Sequence, residues 1–179
     1  MAIIVLFNKP FGVVSQFSGE EPEATLAHYI NVKDVYAAGR LDKDSEGLLV
    51  LTDDGRLQQK IADPKYKNPK TYLAQVEGEV SNESIQLLRQ GIELKDGKTL
   101  PAEVKVIPEP DLWPRNPPVR FRKNIPTSWL EITLREGKNR QVRRMTAAAG
   151  NPTLRLVRIS VGDWSLSGLQ PGKWIKIDQ

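Results

Sequence analysis

Cysteine is absent from the 179-residue chain. That removes disulfides, thiolate metal sites and thiol nucleophiles, and it fits a reducing compartment, here expected to be the cytoplasm. Histidine occurs once, as His28, so His-rich zinc sites and Ser-His-Asp triads fall away too. Long apolar runs are lacking. Nothing approaches the roughly 18–20 residues that span a bilayer, so no membrane partner is expected. The opening Met1–Phe7 segment has no basic region before it and meets Lys9-Pro10 at once, which predicts a buried strand and not a signal peptide. Repeats and low-complexity tracts are also missing. Any chemistry must rest on carboxylates, Arg, Lys, Tyr or hydroxyls.

What is present is a globular composition, 39% hydrophobic and 27% charged, with enough length to bury a real core. The net charge of +4 hides an asymmetry. Residues 1–112 carry 13 basic against 18 acidic side chains, whereas residues 113–158 carry 11 basic against 2 acidic. Nine of those 11 are Arg, and the rest of the chain has only three. Arg makes bidentate contacts with phosphates and base edges, where Lys would have served for solubility alone. A polyanion, with nucleic acid foremost, is the partner this pattern suggests, although a solvated basic face would look the same.

Apolar periodicity predicts strands at Ala2–Asn8, Gly47–Thr52, Thr71–Val76, Trp129–Leu134, Thr153–Ser160 and Lys173–Ile177. Asp96-Gly97 marks a hairpin between Ile92–Leu94 and Thr99–Val106. Helices are expected at Ala24–Ile30, around Leu57 and Ile61 as far as Pro64, from a Ser81 or Asn82 cap through Leu88, and over Asn139–Ala149. Asp53-Asp-Gly55 reads as a turn. The proline-rich stretch Pro108–Pro126 reads as an extended, ordered loop. The fold class is therefore α+β, with more strand than helix. We expect one domain over residues 1–179, with any subdivision setting off a small N-terminal part of about 35 residues.

Two segments carry chemistry. The first runs from Gly39 to Gly55 and places Asp42 on a polar turn, with Arg40 nearby, ahead of an apolar strand that would hold the turn rigid. A solvated Asx-type turn is the bland alternative. The second is Leu134–Met145. With Asn139 as N-cap, Arg140, Arg143, Arg144 and Ala147 share one helix face, and Val142, Met145, Thr146 and Ala149 lie opposite. The helix N-terminus adds partial positive charge.

Taken together, these segments resemble the pseudouridine synthases, in particular the RsuA-type branch that acts on ribosomal RNA. Gly39-Arg-Leu-Asp42, Ser45, Gly47-Leu-Leu49 and Thr52-Asp-Asp-Gly55 match its hallmark motif. Glu136-Gly137 and Gln141-Val-Arg-Arg-Met145 match its basic motif, Lys70-Thr-Tyr72 its Lys-x-Tyr motif, and Lys9-Pro10 its opening pair. Within the branch, the Trp113-Pro-Arg-Asn-Pro-Pro118 loop and Asn139-Arg-Gln141, standing where others have His-Gln, are similar to members acting on large-subunit (23S) ribosomal RNA. The resemblance implies a pseudouridine synthase catalytic fold, a mixed and mostly antiparallel sheet with flanking helices and loops. No S4-like domain is expected, since the chain starts almost at the Lys-Pro motif.

The activity implied is isomerisation of uridine to pseudouridine. The N1–C1′ bond breaks, the base rotates, and it rejoins through C5. No redox change or group donor is required, so neither a cofactor nor a metal is expected. The resemblance assigns Asp42 as the catalytic carboxylate, Arg143 as the guanidinium that keeps it ionised, and Tyr72 as the ring stacked on the target base. Arg40 matches a position implicated in displacing the target nucleotide. Lys70, Arg115, Lys138, Arg140 and Arg144 are expected RNA contacts, Lys9 a phosphate or structural contact, and Leu48 or Leu49 a pocket lining. The expected form is a monomer. Two other classes fit parts of the pattern. One is a metal-dependent nuclease built on Asp42, Asp44, Glu46, Asp53 and Asp54. The other is a non-catalytic rRNA-binding assembly factor.

Overall fold

Seven consecutive residues, Glu46–Thr52, are buried along their whole length in the computed structural model, which describes residues 1–178. In chain order the elements are β1 (Ile3–Lys9), β2 (Tyr36–Ala37), β3 (Glu46–Thr52), α1 (Gly55–Ala62), β4 (Lys70–Glu77), α2 (Asn82–Gln90), β5 (Glu93–Leu94) and β6 (Gly97–Lys98). They continue with β7 (Glu103–Ile107), β8 (Thr127–Leu134), α3 (Gln141–Ala148), β9 (Thr153–Val161), β10 (Trp164–Ser165) and β11 (Trp174–Asp178). The architecture is α+β, as expected. No described helix is long and apolar enough to cross a membrane.

The chain forms two compact units, residues 1–68 with 158–179, and residues 69–157. In the first, β1 pairs antiparallel with both β11 and β3, and β2 adds to β3. Val5, Phe7, Leu26, Leu41, Leu49 and Leu51 form its apolar cluster. In the second, β8 lies between β4 and β7, again antiparallel. Its cluster gathers Ala74, Val76, Leu88, Leu130, Ile132 and Met145. Thr153–Val157 of β9 belongs to the second unit and Arg158–Val161 to the first.

Several expectations shift, each for a local reason. Ala24–Ile30 gives a single 3-10 turn, Leu26–His28. The backbone on either side of Thr25 is already committed, Ala24 O to Val14 N and Leu26 N to Gln16 O. Asp54 is a helix cap and not a turn residue, its carboxylate accepting from Arg56 N and Leu57 N. The hairpin at Asp96-Gly97 is only two residues deep. Thr99 closes it by bonding to Ile92, and Pro101, which has no N–H to give, separates it from β7. Residues 108–126 form no strand or helix, consistent with the proline count.

Candidate active site

In the first unit, Asp42 sits half-buried on a turn between β2 and β3. The turn is closed by Ser45 N–H donating to Asp42 O at 3.0 Å. Leu41 is buried in the apolar cluster immediately before it, and Ser45 and Glu46 are buried immediately after. A rigid strand therefore begins four residues past the carboxylate. Gly47 has φ +110° and lies against the Arg158 backbone, where a side chain would have no room. Leu48 and Leu49 are both fully buried, so they are core.

Lys9 resolves to a structural role. Its side chain is 0% exposed, and Nζ donates to the carbonyls of Val13 (2.7 Å), Pro10 (2.9 Å) and Lys43 (3.4 Å). It thereby ties the turn after β1 to the turn that carries Asp42. Gly12 N–H adds a backbone bond to Lys43 O at 2.8 Å. Burial lowers the Lys9 ammonium to a pKa of about 8, against the pull of the nearby Glu46, Asp44 and Asp42 carboxylates. Arg40 is exposed, and its Nη2 reaches Gln16 Oε1 at 3.3 Å.

The acidic side chains do not collect into a metal cage. Asp53 accepts from Ile3 N–H at 2.8 Å, and Asp54 is occupied in capping α1. Among the described residues, no group of three or more His, Cys, Asp or Glu side chains is placed to hold a metal ion.

In the second unit, Tyr72 is half-buried on β4 opposite Ile132, with its ring packed on the apolar cluster. Burial along β4 does not alternate, since Leu73–Val76 are buried on both faces. Lys70 Nζ lies over Gly137, 3.7 Å from where a Cβ would stand. The basic helix starts later than expected. Asn139 is not its cap: Arg140 holds the N-cap position in the left-handed region (φ 49°) and gives no side-chain cap. The entry is instead fixed by Gln141, whose Oε1 accepts Lys138 N–H (3.0 Å) and whose Nε2 donates to Glu136 (2.9 Å). Glu136 also accepts from Leu100 N–H. Glu136 and Gln141 thus set the bend, a role that residue type alone did not disclose.

Around that bend the cations differ in their surroundings. Arg140 is exposed and Arg143 half-buried. Arg144 forms a two-point pair with Asp96, at 2.8 and 3.2 Å, and its Nε donates to Asn139 O. This contact holds the Asp96 carboxyl below its ordinary range and raises Arg144. Lys138 Nζ donates to Asp96 O at 3.3 Å. Arg115 donates to the carbonyls of Pro117, Pro118 and Leu154, and Arg155 donates to Trp113 O while facing the indole ring. These last two Arg residues shape the proline-rich loop.

A family of RNA pseudouridylate synthases matches residues 3–148. The chain belongs to that family. It is an isomerase that converts uridine to pseudouridine in RNA. It is 62% identical to a ribosomal large subunit pseudouridine synthase E of Vibrio parahaemolyticus, over 97% of this chain and 73% of that protein. The protein of that name from Xanthomonas axonopodis is 59% identical, with 94% and 90% covered. A crystal structure of a pseudouridylate synthase superposes with a TM-score of 0.81 at 27% identity, over 99% of this chain and 71% of that one. Of the synthase motifs, Arg40 and Asp42 lie in the first unit, and Lys70, Tyr72, Arg143 and the Glu136–Met145 segment in the second.

Proposed function

We propose that the chain isomerises uridine in large-subunit (23S) ribosomal RNA, with Asp42 as the carboxylate that does the chemistry. The observation that carries the reading is the setting of Asp42. It stands on a closed turn pinned by buried Leu41 on one side and a wholly buried strand on the other. A group so held keeps its aim without reorganising during reaction. Support for the substrate comes from the large-subunit synthases that are 59–62% identical over nearly the whole chain.

The reaction balances within one nucleotide. The N1–C1′ bond is exchanged for C5–C1′, C5 gives up its proton and N1, which held none while bonded to C1′, gains one, so no external group donor enters. A carboxylate can serve as nucleophile or proton acceptor in such a step. Arg143 is the guanidinium assigned to serve the chemical step, and Tyr72 the ring that stacks on the base, a contact worth about 1–3 kcal/mol. Arg40, exposed beside Asp42, fills the place of a displaced nucleotide, because a paired uridine is out of reach inside a helix. Arg140, Lys70 and Lys138 meet phosphates, while Arg144 and Arg115 set the shape of the surface that does so. The working form is a cytoplasmic monomer, and light scattering on the purified chain checks its size.

The deciding experiment is release of tritium from C5-labelled uridine in large-subunit rRNA with chelator present. Release that survives chelator and disappears in Asp42→Asn supports the reading. Binding without release would make the chain an assembly factor, and release abolished by chelator would make it a metal enzyme.

A further inference from the structure

We propose that Ser15, outside every motif above, is a positioning residue for the Asp42 turn, an inference that rests on the reading of Asp42 just given. Ser15 Oγ donates to Leu41 O at 2.8 Å and accepts Leu41 N–H at 3.1 Å. One hydroxyl therefore grips both peptide groups that flank Leu41, and the second of these is the peptide joining Leu41 to Asp42. Holding both planes sets φ and ψ of Leu41, and with them the direction in which the chain enters Asp42. Leu41 lies outside the strands, so the hydroxyl does the work of a neighbouring strand.

The hydroxyl is itself held. Val14 N–H donates to Ala24 O (3.0 Å), and Gln16 O accepts Leu26 N–H (2.9 Å), so Ser15 sits between two anchored residues. Leu26 is fully buried, and Ser15 and Leu41 are nearly so. Water cannot readily replace the two bonds in such a place, and their loss leaves buried backbone groups wanting partners. The segment Val14–Gln16 thus acts as a strap that carries the rigidity of the first unit's core to the reactive turn. Gln16 also meets the exposed Arg40 side chain, so the same strap borders both functional residues of the turn.

The test compares Ser15→Ala, Ser15→Thr and Asp42→Asn in single-turnover tritium release, RNA affinity by filter binding, and melting temperature. Ser15→Ala is expected to slow the chemical step by roughly ten- to a hundredfold, the scale of a displacement near 1 Å, with RNA affinity within about twofold, as expected for a group that does not touch RNA. Ser15→Thr, which keeps the hydroxyl, restores most of the rate. A wild-type rate in Ser15→Ala, or a loss that follows RNA affinity instead of the chemical step, overturns the proposal. If Ser15→Ala melts too low to assay, Ser15→Cys decides: a weaker donor must give an intermediate rate, and an unchanged rate overturns the idea. Asp42→Asn separates the two levels. If it is inactive while Ser15→Ala is normal, only the strap falls; if it retains the wild-type rate, the reading of Asp42 falls and the strap with it.

Discussion

Arg144 grips Asp96 through two parallel hydrogen bonds, at 2.8 and 3.2 Å, and so clips the β5–β6 hairpin to the start of α3. Both groups are partly exposed, so the pair contributes shape more than stability. Its consequence is for RNA. Each phosphate contact removed from a protein reduces the steepness of the salt dependence of binding by about one. Arg140→Ala is expected to show that loss in full. Arg144→Ala, whose guanidinium is engaged by Asp96, is expected to show clearly less. Equal slopes for the two variants would mean that Arg144 meets phosphate as directly as Arg140 does.

A Cβ added to Gly47 would stand 2.1 Å from Arg158 O and 2.7 Å from Arg158 N, at a φ of +110°. Both obstacles are backbone, and neither can swing aside. Gly47→Ala is therefore expected to cost on the order of 3 kcal/mol or more, seen as a lowered urea midpoint. The glycine is needed for close approach of two chain segments and not for contact with RNA. Whatever folded enzyme remains should thus bind RNA normally. A variant of unchanged stability would show that β3 can shift away from Arg158.

Lys9 makes stability depend on pH in a calculable direction. In the folded chain its ammonium titrates at about 8, against an ordinary 10.5. Between these values the unfolded chain holds a proton that the folded chain has released. Stability must therefore rise with pH across the window, and below it the contribution of Lys9 to the slope vanishes. The full gain from this one group is about 3 kcal/mol. Urea midpoints measured from pH 8 to pH 10.5 should climb more steeply for the wild type than for Lys9→Met. Parallel curves would mean that Lys9 stays ionised in its carbonyl nest throughout.

Much of this was readable from residues alone, and the pattern of success has a physical cause. β1 and β3 were found from short unbroken apolar runs, and β4 and β8 from apolar periodicity between turn residues, patterns that admit few other fates. Asp42 was singled out by its match to the family motif, because a polar bend ahead of an apolar strand fits a solvated Asx-type turn equally well. The start of α3 was misplaced because Asn139 has a good capping side chain, whereas the cap used here is Gln141 reaching back to Lys138 N–H. That bond depends on Arg140 adopting φ 49°, which its residue type does not favour. Lys9 stayed open between a phosphate and a structural contact, and Ser15 gave no signal, for another reason. Ser15 acts on the backbone 26 positions away, and Lys9 joins its near neighbours Pro10 and Val13 to Lys43, 34 positions away, and no periodicity encodes such distant partners.

Asp42 and Arg143 offer the last test, since they assign chemistry and affinity to different groups. If Arg143 serves the carboxylate, Arg143→Ala should slow single-turnover tritium release by about a hundredfold or more, the scale of losing a charge-assisted partner at a reacting group. RNA affinity should change little. If Arg143 is instead a phosphate contact, the order reverses: affinity and salt slope fall, and the chemical step at saturating RNA survives. Arg143→Lys sharpens the distinction. A point charge substitutes well for a guanidinium at a phosphate but poorly where planar, two-point geometry is required. Lysine should therefore leave RNA binding intact and fail to restore the rate. Full recovery of turnover by Arg143→Lys would show that Asp42 needs only a nearby positive charge, and not the guanidinium's shape.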